Sequence, residues 1–216
     1  MRAMGFWGTF LVARSDRPLP ELDGVRELAE HLGWHGVGRD GWQAVQLHRA
    51  PQHWQLPMTG TDGREQLLES LQSQTGWPVL AGIVAASDGA QVVGYSPRAG
   101  RWSGWLMLER LVDYLGSPYT DCLAVEEDEE LPDDDEFWQD RYCEACRPLY
   151  ELAPAPSIAA PRAVAWAKEA GCAPNVEAVE AALDGGDVFA EDQFFTLLTT
   201  LGLPVLTRSN STDESS

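Results

Sequence analysis

The sequence predicts an α+β fold: an antiparallel sheet with helices packed on one face, followed by an acidic helical C-terminal region. Three observations carry that expectation. Residues 78–96, PVLAGIVAASDGAQVVGYS, hold two strand-like runs either side of Ser87-Asp88-Gly89-Ala90. An Asp-Gly pair between β-branched runs signals a hairpin, with Gly89 expected to take the positive φ. The first run is apolar at almost every position, as in a strand covered on both faces at the centre of a sheet. Stretches of helical periodicity flank it, closed by Gly33 and Gly76. Beyond residue 120 the pattern turns helical and strongly acidic.

In chain order, residues 5–13, GFWGTFLVA, read as a first strand rich in aromatic and β-branched residues. Leu22, Val25, Leu28, Ala29 and Leu32 then recur at helical spacing, predicting a helix over 21–32 that Gly33 ends. Residues 34–37 and 42–48 read as two short strands joined at Asp40-Gly41. Pro51, Pro57, Gly60 and Gly63 break a loop. A second helix follows over 64–74 with Leu67, Leu68 and Leu71 on its apolar face. After the hairpin, residues 102–115 end in a third helix carrying Leu108, Leu111, Val112 and Leu115. The recurrence of Gly-Trp (33–34 and 76–77) and Asp-Gly (40–41 and 88–89) is a weak internal echo of helix–strand–turn–strand.

Further helical runs are expected at about 135–147, 161–170, 175–183 and 191–201. Asn175 is placed to cap one of them, and the proline-rich stretch 148–161 serves as a connector. The expected organisation is an α+β domain over 1–120, an acidic helical region over 121–206 that can pack on the first, and a disordered polar tail over 207–216.

The opening GFWGTFLVARSDRPLPEL, residues 5–22, and the Gly-Trp-His segment beginning at Gly33 resemble an uncharacterised actinobacterial protein family of unknown function. The resemblance covers the first half of the chain. It implies no activity and transfers no catalytic or binding residue. The use of fourteen arginines against the single Lys168 fits a GC-rich genome of that kind.

Charge narrows the possible partners. The net charge is −19 over 216 residues, and it is uneven. Residues 1–120 carry 12 acids and 10 bases, whereas 121–216 carry 22 acids and 5 bases. Such a field repels nucleic acid and anionic membrane surfaces, so neither is expected as a partner. No apolar run reaches the ~18 residues of a membrane helix. The first fifteen residues only faintly resemble a secretory signal and lack its cleavage pattern. Four cysteines do not make a disulfide framework, and a reduced cytoplasmic setting is the expectation.

Few residues offer chemistry. Cys143 and Cys146 form a C-x-x-C, but late in an expected helix behind an acidic run, where a thiolate is disfavoured. Their spacing to Cys122 and Cys172 matches no zinc pattern. The cysteines read as small packed side chains, and no metal or cofactor is expected. The four histidines, His31, His35, His48 and His53, fall within 23 residues. His35 and His48 are the pair carried forward as possible ligand-binding groups. In SPRAGRWSGW, Arg98 and Arg101 stand beside Trp102 and Trp105, residue types enriched at binding hot spots.

The run Glu126, Glu127, Asp128, Glu129, Glu130, Leu131, Pro132, Asp133, Asp134, Asp135, Glu136 is too irregular for a calcium loop. It reads as a docking loop for a basic protein. No phosphate-binding, dinucleotide or nucleophile-elbow motif is present.

Two functional readings follow. The first is a soluble noncatalytic binding or regulatory module with an acidic docking face. The alternative is a small enzyme or ligand-binding protein with a cleft between the sheet and the C-terminal helices, drawing on His35, His48, Arg98 and Trp102. Oligomeric state is not readable from the sequence.

Overall fold

The computed structural model describes residues 5–48, 63–115, 147, 149–204 and 207–208. Its frame is a seven-stranded sheet of order β6-β5-β4-β1-β3-β2-β7, antiparallel at every pairing. The strands are β1 (Gly8–Arg14), β2 (Leu32–Val37), β3 (Trp42–His48), β4 (Val79–Ala85), β5 (Gly89–Ser96), β6 (Gly100–Leu106) and β7 (Thr207–Arg208). The helices are α1 (Gly63–Thr75), α2 (Leu108–Leu115), α3 (Pro156–Glu169), α4 (Val176–Asp184) and α5 (Ala190–Thr200). This is the α+β class that the alternating patterns predict. No helix among the described residues is long and apolar enough to cross a membrane.

The alternation along each strand divides the core in two. On one face Leu11, Ala13, Val45, Leu47, Ala81, Ile83 and Val93 pack against Leu67, Leu68 and Leu71 of α1. On the other, Phe10, Val12, Trp42, Ala44, Leu80, Val92 and Trp102 pack against α3, α4 and α5. The N-terminal and C-terminal helices therefore take opposite faces. All seven residues of β4 are buried between them, which explains its unbroken apolar run. The middle strand of the sheet is its neighbour β1, rather than either strand of the β4–β5 hairpin.

Packing of the C-terminal layer follows from small residues. Ala159, Ala160, Ala163 and Ala167 of α3 are fully buried and let the helix approach the sheet. Trp166 is anchored by its indole N–H, which donates to the carbonyls of Val79 (3.0 Å) and Tyr95 (3.1 Å). A Cβ at Gly82 would come within 2.5 Å of the Phe194 ring, so this glycine gives the ring its seat on β4. Asn175 caps α4, its side chain accepting from the Ala178 N–H at 2.9 Å, as its residue type favours.

Several elements differ from the sequence reading. The helix expected over 21–32 is instead two 3₁₀ turns, Leu19–Glu21 and Arg26–His31. Gly24 interrupts the run at φ 85°, and Leu67 of α1 presses so closely there that a Cβ would meet its Cδ1 at 2.5 Å. Gly33 consequently lies inside β2 and caps nothing, whereas Gly76 ends α1 at φ 71°. The two Gly-Trp pairs thus do different work.

The β4–β5 turn also falls earlier than expected. Ala86 and Ser87, at φ 55° and 61°, take the left-handed positions that Gly89 was expected to supply. The Asp88 N–H closes the turn on the Ala85 carbonyl at 3.0 Å. Gly89 is required for a different reason, since a Cβ there would lie 2.5 Å from the Leu111 Cβ of α2. Helix α3 begins at Pro156, inside the stretch read as a connector, because proline is well suited to the first helical turn. Thr207 and Arg208, read as the start of a disordered tail, pair with Val37 and Gly36 on the outer side of β2, whose edge offers unpaired backbone groups.

Candidate functional site

Strand register assembles a large cavity among the described residues. Across three neighbouring strands, Phe10 of β1 pairs with Gln46 of β3, and Gln46 with Trp34 of β2. Phe10 and Gln46 point to the face carrying the C-terminal helices, and Trp34 packs against that same core. His48 follows Gln46 by two residues and so shares its face. The β2–β3 register slips between Leu32 and Trp34, making Gly33 a bulge residue, a device that re-aims neighbouring side chains. The His48 imidazole lies over Gly33, where a Cβ would be 2.0 Å from its Cδ2 and Nε2. Its ring meets Phe6 edge-on at 5.6 Å.

Helix α5 closes the cavity. Glu191 and Phe195, four residues apart, fall on one helical face and line it together with Phe10, Gly33, Trp34, Gln46 and His48. The volume is about 420 Å³, within the roughly 300–1,000 Å³ of small-molecule sites. Phe195 stands perpendicular to two other rings. Its centroid lies 5.2 Å from Phe10 at an interplanar angle of 73°, and 6.2 Å from Trp34 at 79°. Phe10 is steadied from behind by stacking on Phe194 at 5.5 Å.

Glu191 is the one carboxylate among the described residues that line the cavity. It sits in the first turn of α5, where the helix dipole favours a negative charge. Oε1 accepts from the Ser87 hydroxyl at 2.9 Å. Oε2 is shielded from solvent without a hydrogen-bond partner among the described residues. None of the seven described residues that line the cavity is lysine or arginine.

Only one of the residues singled out from the sequence enters this cavity. His35 lies on the opposite face of the sheet, where its Nε2 meets Gln43 Oε1 at 2.9 Å. The Gln43 amide donates to the carbonyls of Ser15 and Arg17 and its oxygen also accepts from the Leu19 N–H, so His35 belongs to a loop-holding network. Arg98 is in the β5–β6 turn, with its backbone N–H bonded to the Glu169 carboxylate. Arg101 is exposed on β6, beside a minor cavity of about 40 Å³ that it shares with Tyr95 and Glu69.

Trp102 and Trp105 are core side chains, 2% and 5% exposed. They face opposite sides of the sheet, in the α3–α5 core and the α2 core respectively. The arginine–tryptophan cluster therefore does not form one surface. The acidic run from Glu126 to Glu136 lies outside the described residues, as do His53, Cys122, Cys143 and Cys146. Among the described residues no group of three or more His, Cys, Asp or Glu side chains could hold a metal ion.

Phe10, Trp34, Gln46, Glu191 and Phe195 were not legible as a site. Their only sequence signal is the alternation that puts 46 and 48 on one strand face and the i, i+4 spacing of 191 and 195. No family model, curated protein or solved structure matches the chain.

Proposed function

We propose that this chain is a small-molecule-binding protein whose site is the cleft between β1–β3 and α5. One observation carries the reading: Phe10, Trp34 and Phe195 line a single cavity together with Gln46, His48 and Glu191. Apolar walls with a few convergent polar groups are the usual composition of a ligand pocket. Three aromatic rings supply contact area with little conformational entropy to lose. The amide, imidazole and carboxylate provide orientation, so the ligand is compact and largely apolar with one polar end.

A histidine and a carboxylate on one cavity are also the groups of general acid–base catalysis. Binding is favoured here because the carboxylate is already engaged by Ser87 and His48 is exposed at the rim. A ligand-observed NMR screen of small fragments against the full chain tests the proposal, repeated with Trp34→Leu and Gln46→Leu. Hits that weaken in both variants support it. Hits that ignore both variants, or a screen without hits, count against it.

A further inference from the structure

The aromatic walls and the Glu191 carboxylate define the charge of the ligand as well as its shape. We propose that the cleft selects a small alkylammonium cation, of the quaternary or tertiary type, over a neutral molecule of equal size. The inference rests on the cleft being a ligand site. It goes further by assigning the chemistry of the ligand's polar end.

Four features combine. First, Trp34 and Phe195 stand at 79° to one another, with Phe10 behind them, buried and stacked on Phe194. Two aromatic walls set nearly at right angles suit a compact, roughly spherical group better than a planar one. Second, aromatic faces carry negative potential and attract a cation held within about 6 Å of a ring centroid, tryptophan most strongly.

Third, Glu191 places a negative charge on the same cavity, and among the described residues no lysine or arginine lines it. Its Oε1 is directed by Ser87, whereas Oε2 is shielded with no donor among the described residues. An alkylated ammonium needs no hydrogen bond from that oxygen and gains from its charge at short range in a partly dry site. Fourth, an anionic ligand is disfavoured. The first turn of α5, the natural place for an anion, is already taken by Glu191 and Asp192. The chain's net charge of −19 adds a field that steers cations inward.

The test uses choline and its uncharged carbon isostere, 3,3-dimethyl-1-butanol, titrated into the full chain by ligand-observed NMR. Both titrations are run at pH 8 in the same buffer. Choline is expected to bind about tenfold or more tightly than the isostere, the size of a desolvated cation–π preference. Glu191→Gln keeps an acceptor for Ser87 and removes the charge. It is expected to abolish most of the preference by weakening choline far more than the isostere. Asp192→Asn, an exposed neighbour outside the cavity, is expected to leave both affinities unchanged.

Equal or tighter binding of the isostere would overturn the cation assignment while leaving the cleft as a ligand site. Equal losses of choline affinity in the Asp192 and Glu191 variants would assign the effect to the general field and overturn it as well. Binding of neither probe at millimolar concentration would overturn the assignment, and a fragment screen without hits would then remove the cleft reading independently.

Discussion

The Ser87 hydroxyl donates to Glu191 Oε1 at 2.9 Å, joining the β4–β5 turn to the first turn of α5 across 104 residues of sequence. Ser87 Oγ also accepts from the Phe6 N–H at 2.7 Å. The Ser87 main chain exchanges two further bonds, receiving from the Ala190 N–H and donating to the Phe6 carbonyl. A turn built from two non-glycine residues at positive φ is costly. This set of contacts to the chain start and to α5 offsets the cost and aligns the carboxylate on the cleft.

Ser87→Ala therefore keeps the left-handed backbone but strands the Phe6 N–H and Glu191 Oε1. Loss of stability of about 1–3 kcal/mol is expected. Ala86→Gly acts in the opposite direction, because relief of about 1–2 kcal/mol of left-handed strain exceeds the added freedom of glycine in the unfolded chain. Urea unfolding followed by tryptophan fluorescence checks both. A neutral Ser87→Ala would mean that the hydroxyl contacts contribute nothing to stability.

Two buried tryptophans give an internal contrast. Trp166 donates to two carbonyls, whereas the Trp102 indole N–H is buried against Gly94 with no partner among the described residues. Both rings are replaced by Phe with similar loss of area. Trp166→Phe additionally loses its hydrogen bonds, and Trp102→Phe removes an unsatisfied donor. The first is expected to be the more destabilising by about 1–3 kcal/mol. Equal midpoint shifts for the two variants would refute that ranking.

The legible part of this fold was the part set by local pattern. The period-2 alternation of β1, β3 and β5 and the leucines of α1 specify their own faces, and the Asn175 cap is a local signal. The 3₁₀ turns over 19–31 were not legible, because the leucine spacing there fits a helix and only the approach of Leu67 to Gly24 decides otherwise. The turn at Ala86-Ser87 was masked by the neighbouring Asp-Gly pair, which has the favoured composition but lies one step along the hairpin. The cleft depends on non-local register: Phe10, Gln46 and Trp34 meet only once β1, β3 and β2 pair. Phe195 joins them from the far end of the chain. Aromatic and arginine enrichment pointed instead to Trp102 and Trp105, which composition alone cannot distinguish from core.

Gly33→Ala tests the β2 bulge over which the His48 ring lies. The new Cβ would overlap the imidazole, but His48 is exposed and its ring can swing aside at little cost. Stability is expected to change by no more than about 0.5 kcal/mol, while fragment binding in the cleft weakens several-fold as the rim is rebuilt. A variant that unfolds early would show instead that the bulge is needed for the sheet itself.

Cys172 gives a prediction in pH. Burial pushes its thiol above the ordinary value of 9.0, and its S–H faces the Gly202 carbonyl at 3.4 Å, a contact made by the protonated form. In the folded chain the thiol holds its proton to higher pH than in the unfolded chain. As pH rises past 9, the unfolded state deprotonates first, so this group's contribution to stability is full below that pH and declines above it. Wild type is therefore expected to lose more stability between pH 8 and pH 10 than Cys172→Ala, with the other cysteines common to both. Alkylation of the Cys172 peptide by iodoacetamide at pH 8, read by mass spectrometry, should be slower in the native chain than in urea, because thiolate is the reacting form. A native rate equal to the unfolded one, with parallel pH–stability curves, would show that the thiol is not held protonated by the fold.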